Sequence, residues 1–200
     1  MVEDVELVGM LVGVLQSMDV PYMIGGSVAL SAWARPRMTH DLDIVVDLPA
    51  ARIAEFCAYF VDERFYIDSD AMLVSFGQRD RPSTGMYSFI DMETALKVDL
   101  FPLRNDPAQR EAMKRRMRAE VAEGVEADVY APDDLLVQKL RWYTATDSER
   151  QFGDCLYLLV SDKTRQEPLI DLAYVEGWVE HLGPEVREAW ERLKAALRLA

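Results

Sequence analysis

Tyr22-Met23-Ile24-Gly25-Gly26-Ser27-Val28-Ala29-Leu30 passes from a short apolar run, through a glycine pair, into a second apolar run that continues to Trp33. A strand, a tight turn and a helix N-terminus fit that order, because glycine leaves the backbone free to turn sharply. Working forward, Leu42 to Val46 is apolar and largely β-branched, and reads as a second strand with Asp41 and Asp43 at its start. Alternate residues of a strand share a face, so the two carboxylates would stand together with Cα atoms about 6.6–6.8 Å apart. That separation suits two side chains gripping two divalent cations ~3.5–4 Å apart.

A third carboxylate follows in Val98-Asp99-Leu100-Phe101. Among such apolar neighbours a buried, unpaired carboxylate is costly, and a cation partner accounts for it. On a strand beside Asp41 and Asp43 it would complete the oxygen-rich, partly hydrated shell that magnesium takes. Gly25 and Gly26 let backbone N–H groups approach an anion, and the helix N-terminus after them favours phosphate. Ser27 adds a hydroxyl donor. Taken singly, these elements are also what a turn, a solvated strand edge and an edge-strand acid look like. Their order along one chain points to phosphoryl or nucleotidyl transfer.

The periodicity around these motifs sets the remaining elements. Leu7, Leu11, Val14, Leu15 and Met18 recur at helical spacing, so residues 4–18 read as an amphipathic helix. Pro49 opens a helix expected to run to Arg64. A helix near 71–76 and a loop at 77–85 come next. Residues 86–91 and 95–101 read as a hairpin joined across Met92-Glu93-Thr94, with Leu96, Val98 and Leu100 on one side and Lys97, Asp99 and Phe101 on the other. An arginine-rich helix is expected over 107–122, an edge strand at 125–130, and four helices over 132–143, 148–159, 169–181 and 184–199. The fold class is α+β: a small mixed sheet with flanking helices over 1–130, then a helical region over 131–200.

Composition narrows the function classes. The 200 residues carry 35 acidic and 22 basic side chains, a net charge of −13. Such an excess argues against a protein whose whole surface coats nucleic acid or anionic membrane. The two cysteines, Cys57 and Cys155, are too few for a disulfide framework or a four-cysteine zinc site. Glu3, Asp4 and Glu6 stand where a secretion signal carries positive charge, and no apolar run is long enough to span a bilayer. A cytoplasmic location without membrane contact is the expectation. The segment Arg104–Arg118 departs from the general acidity, with six basic side chains against two acidic ones. It reads either as a solvated helix face or as a patch guiding an anion, such as an RNA end or a triphosphate, to the site. Trp33, Trp142, Trp178 and Trp190 fall in helical patterns and read as core or interface.

The motifs Met23-Ile24-Gly25-Gly26-Ser27-Val28-Ala29-Leu30, Arg37-Met38-Thr39-His40-Asp41-Leu42-Asp43 and Lys97-Val98-Asp99-Leu100-Phe101 together resemble the nucleotidyltransferase superfamily with the minimal polymerase-β-like fold. Ala131-Pro132-Asp133-Asp134 through Tyr143, followed by Ser148 to Leu159, is similar to the C-terminal helices of AbiEii-type and related bacterial nucleotidyltransferase proteins. The resemblance spans roughly residues 20–182. It implies that Asp41 and Asp43 bind two magnesium ions (manganese being the alternative) that hold an NTP's triphosphate. Asp99 would join the metal on the nucleophile side and accept the attacking hydroxyl's proton. Gly25, Gly26 and Ser27 would cradle the β and γ phosphates. Lys139 stands at the family's C-terminal lysine position, reaching the nucleotide phosphates or the acceptor, and Asp154 would orient it. Apart from the resemblance, strand alternation would put Thr39 on the face of Asp41, supporting a metal ligand, if the strand begins early, a loop position being the alternative; His40 would point the opposite way.

The implied reaction moves an NMP from an NTP to a hydroxyl acceptor with release of pyrophosphate. The acceptor would be an RNA end, a protein or a small molecule such as an aminoglycoside, and the AbiEii-type likeness suggests a toxin–antitoxin or defence setting with a cognate partner. The competing expectation is a catalytically inactive nucleotide- or partner-binding module, such as an antitoxin.

Overall fold

The computed structural model describes residues 5–34, 39–60, 63–80 and 85–199. The chain divides into two compact units: Met1–Ala29 with Arg37–Tyr130, and Leu30–Pro36 with Ala131–Ala200.

In the first unit, α1 (Val5–Ser17) buries Leu7, Leu11, Val14 and Leu15, the stripe its helical spacing predicts. Asp19, at φ 50°, turns the chain out of it. β1 (Tyr22–Ile24) is wholly buried, and only Gly25 separates it from α2 (Gly26–Trp33). β2 spans Asp41–Val46. The helix expected from Pro49 to Arg64 is instead three short pieces: a 3₁₀ turn at Ala50–Arg52, α3 (Ile53–Cys57) and a second 3₁₀ turn at Ala58–Phe60. Aromatic packing overrides helical continuity here. Phe60 sits 5.2 Å from Phe56, 5.4 Å from Phe65 and 5.5 Å from Phe89 between ring centroids, while Phe65 bridges Asp91 as an isolated β-pair. The expected course through 61–62 lies outside the described residues, as do Arg35 and Arg37 and the loop at 81–84.

α4 (Ser69–Gly77) is capped by Asp68, whose carboxylate accepts from the backbone N–H groups of Asp70 and Ala71. β3 (Tyr87–Ile90) and β4 (Lys97–Pro102) form the expected hairpin with a longer turn. Ala95 adopts φ 59° and its N–H donates to Asp91 O, so Leu96, not Ala95, is the residue whose carbonyl meets the Asp91 N–H. Register therefore pairs Ser88 with Asp99 and Ile90 with Lys97.

α5 (Pro107–Arg115) stops well short of the helix expected over 107–122. Arg116 takes an extended ψ of 145°, and β5 (Met117–Ala122) pairs antiparallel with β6 (Val125–Val129). Gly124, at φ 71°, makes the turn between them. A cross-strand ladder thus satisfies backbone groups that a continued helix would have paired internally. β6 is not the edge strand expected: the sheet order is β3-β4-β2-β1-β6-β5, with β5 outside it. Pairs β1–β6 and β2–β4 are parallel and the others antiparallel, a mixed sheet.

The second unit is helical: α6 (Pro132–Thr146), α7 (Glu149–Lys163), α8 (Leu172–Leu182) and α9 (Pro184–Leu199), close to the four helices expected. Leu136, Leu140, Leu158, Val175 and Leu193 are fully or almost fully buried among them. Asp147 at φ 51° closes α6, and Gly183 at φ 105° separates α8 from α9. After α7, the Asp162 carboxylate accepts from the N–H groups of Leu169 and Ile170 and so fixes the return of the chain. A mixed sheet with flanking helices in one unit and helices alone in the other is the α+β class expected. No described helix is long and apolar enough to cross a membrane.

Candidate active site

β2 and β4 run parallel, with Asp41 opposite Lys97 and Asp43 opposite Asp99. Strand alternation puts these four side chains on one face, while Leu42 and Val98 between them are fully buried on the other. β3 adds Ser88 opposite Asp99. Burial deepens across the face: Asp41 is exposed, Asp43 half-buried, and Asp99 is only 6 % exposed.

Both oxygens of Asp99 have partners. Ser88 Oγ donates to Oδ1, and the Lys97 ammonium sits 2.7 Å from Oδ2. The hydrogen bond to Asp99 holds the Lys97 ammonium above the ordinary lysine range. The charges of Asp99, Asp41 and Asp43 add to this, and partial burial opposes it. One ammonium therefore feels all three carboxylates that the sequence singled out. Thr39 supports Asp41 through the backbone: its buried hydroxyl accepts from the Asp41 N–H and donates to the Asp41 carbonyl, both at 3.3 Å. His40 is exposed.

The glycine turn lies against Asp43. Gly25 N–H donates to Asp43 O at 2.8 Å. Gly26, at φ 56°, has the Asp43 carboxylate so near that a Cβ there would stand 1.8 Å from Oδ2. Gly25 in turn packs on Tyr130, whose ring would lie 3.4 Å from an added Cβ. Ser27 follows within the first turn of α2 and is buried. Asp43 thus occupies the N-terminal end of α2, where the helix dipole and free N–H groups favour negative charge.

The expected metal ligands Asp41, Asp43 and Asp99 therefore share a face with the glycine turn beside them. Among the described residues, no group of three or more His, Cys, Asp and Glu side chains is arranged to hold a metal ion. The cation on Asp99 in this arrangement is Lys97. The donor chemistry itself, three carboxylates and a hydroxyl, is the all-oxygen set that a hard divalent cation takes.

Lys139 and Asp154, the other expected pair, belong to the second unit. Lys139 Nζ lies 2.7 Å from Asp154 Oδ2 and 3.3 Å from Gln151 Oε1, with Lys139 and Asp154 both buried between α6 and α7. The arginine-rich run is divided. Arg116 and Arg118 at the start of β5 reach Asp128 at 2.9 and 3.3 Å, and Lys114 on α5 reaches Glu111. Trp33 and Trp190 are buried, whereas Trp142 is largely exposed. Sequence reasoning passed over Lys97 and Ser88. Lys97 was visible as the residue two before Asp99, on the same face; Ser88 needed the register.

Neither a protein-family model nor a curated protein matches the chain. Among solved structures it is similar to the antibiotic-resistance factor ANT(2'')-Ia, at 16% identity and a TM-score of 0.44, over 96% of this chain and 89% of that one. It is also similar to an antigenic nucleotidyltransferase-like protein from Paracoccidioides brasiliensis, at 15% identity and a TM-score of 0.45, over 94% and 91%. A CCA-adding enzyme in complex with CTP shows similarity at 16% identity and a TM-score of 0.34, over 94% of this chain and 45% of that one.

Proposed function

We propose that this chain is a metal-dependent nucleotidyltransferase that moves an NMP from an NTP to a hydroxyl acceptor and releases pyrophosphate. The observation that carries the reading is the register of β2 on β4, which sets Asp43 directly opposite Asp99 with Asp41 on the same face. The sequence resemblance assigns these three positions to metal binding, and a shared, partly exposed face is what that assignment requires. Asp41 and Asp43 would hold the cation on the triphosphate, and Asp99 the one on the nucleophile side. Bound there, magnesium or manganese would supply charge stabilisation to the attacking and leaving oxygens.

The protein's own groups position the reaction. Gly26 has no side chain and leaves Asp43 against the start of α2; the sequence resemblance assigns the turn at Gly25, Gly26 and Ser27 to the β and γ phosphates, a role the N-terminus of α2 would favour. Asp99, steadied by Ser88, would accept the proton of the attacking hydroxyl. The sequence resemblance assigns Lys139, held by Asp154 within the second unit, to the nucleotide phosphates or the acceptor. RNA ends, proteins and small molecules are the acceptor classes within this reading, in a toxin–antitoxin or defence setting.

A second reading, a nucleotide- or partner-binding module without turnover, draws on Lys97, whose ammonium holds the oxygen of Asp99 that a cation would take. One experiment separates them. The protein is incubated with each labelled NTP, magnesium and total cell extract, and both label transfer and pyrophosphate are followed. Transfer that vanishes in Asp43→Ala and Asp99→Ala proteins, with their folds intact by circular dichroism, supports the enzyme. Magnesium-dependent NTP binding without pyrophosphate release supports the module.

A further inference from the structure

Lys97 stands where its charge opposes cation binding. It is two residues before Asp99 on the same strand face and directly opposite Asp41. Its ammonium lies 2.7 Å from Asp99 Oδ2, while Ser88 holds Oδ1, so no oxygen of Asp99 lacks a donor. Each oxygen keeps a second lone pair, but a divalent ion approaching Oδ2 meets the Lys97 ammonium 2.7 Å from that atom. Ser88 is a neutral hydroxyl that can stay as Asp99 changes partner. Lys97 is a positive charge that a divalent ion repels. Its side chain is 40 % exposed, so the flexible four-carbon stem has solvent to swing into. Asp43 and Asp99 are like charges directly opposite each other on neighbouring strands.

We propose that Lys97 is a displaceable internal cation: it neutralises the acidic face of β2 and β4 while no metal is bound, and a divalent ion reaches Asp99 by expelling it. The exchange makes and breaks no covalent bond; one ammonium moves to solvent as one divalent ion arrives. Lys97 is thus a positioning residue that sets metal affinity, and the inference rests on the transferase reading of the site.

The test is Mn2+ binding to the full chain, followed by the electron paramagnetic resonance of the free ion, in wild type, Lys97→Met, Lys97→Gln, Lys97→Arg and Asp43→Asn. Competition for one carboxylate oxygen predicts at least about tenfold tighter binding in Lys97→Met and Lys97→Gln. Lys97→Arg keeps the charge and should bind no more tightly than wild type. In EDTA the Lys97→Met protein should melt below wild type, and added Mn2+ should raise its Tm by more. Equal or weaker Mn2+ binding in both neutral variants, with binding lost in Asp43→Asn, overturns the role of Lys97 and leaves the metal site standing. No Mn2+ binding in any of these proteins, with or without NTP, overturns both this inference and the metal-dependent reading beneath it.

Discussion

Asp43 and Gly26 share space that a side chain on Gly26 would need: an added Cβ would stand 1.8 Å from Asp43 Oδ2 and 2.8 Å from Cγ. The Asp43 carboxylate of β2 thus fills the place where a side chain on the first residue of α2 would begin. It also explains why a turn that reads as a generic glycine pair requires glycine specifically at its second position, where φ is 56°.

Gly26→Ala should therefore act twice. The left-handed backbone costs about 1–2 kcal/mol with a Cβ present, and the methyl group drives the Asp43 carboxylate off its position. Urea unfolding should show a lowered midpoint, and nucleotidyl transfer should fall to background. Gly25→Ala meets only the Tyr130 ring at 3.4 Å, so it should cost less on both counts. Equal loss in the two variants would contradict this distinction.

Lys139 and Asp154 form a buried pair at 2.7 Å. Lys139→Met deprives a buried carboxylate of its ammonium and should destabilise the protein by about 3–5 kcal/mol in urea unfolding. The Lys139→Met/Asp154→Leu double variant should recover most of that loss, because the remaining charge is removed with its partner. Additive costs would show that the two residues do not act as a pair.

Asp91 is fully buried and holds the β3–β4 turn together. Arg64 donates to both its oxygens at 2.9 and 2.7 Å, and the Glu93 N–H and the Thr94 hydroxyl donate to it as well. The hydrogen bond to Asp91 holds the Arg64 guanidinium well above its ordinary range, so it stays charged at any working pH. Arg64→Lys cannot form the two-pronged contact and should cost about 1–3 kcal/mol. Amide exchange at Met92 to Leu96 should quicken in the same variant.

Burial pushes the thiol of Cys57 up to about 11 and that of Cys155 up to about 12. Both folded-state values lie above the roughly 8.5 of an unfolded cysteine. Their stabilising contribution is thus complete below pH about 8.5 and is lost as pH rises toward 11–12. The folded protein should resist iodoacetamide at pH 8–9, and label only in denaturant. The fall in unfolding free energy above pH 9 should be shallower in the Cys57→Ala/Cys155→Ala protein.

Much of the candidate site's geometry was legible because it rides on local periods. The period of two in Lys97-Val98-Asp99-Leu100 assigns Asp99 to the face of Lys97 without reference to any other strand, and Asp41 and Asp43 share a face by the same rule. Composition and the spacing of apolar residues likewise announced α1 and the helices of the second unit. Where local periodicity met a competing long-range contact, the local reading failed. Phe60 broke the helix after Pro49 by joining Phe56, Phe65 and Phe89. Residues 117–122 left an arginine-rich helix because β6 offered them a strand ladder.

Residue order alone settled which acids share a strand face, where the glycine turn falls, and that a sheet-containing region precedes a helical one. Which acid faces which was left to tertiary pairing: Asp43 opposite Asp99, with Ser88 on Oδ1 of Asp99 and Lys97 on Oδ2. Side-chain alternation is a property of a single strand, whereas register depends on turn length and on the partner. Here the turn carries Ala95 in the left-handed conformation, and the register that follows pairs Ser88 with Asp99.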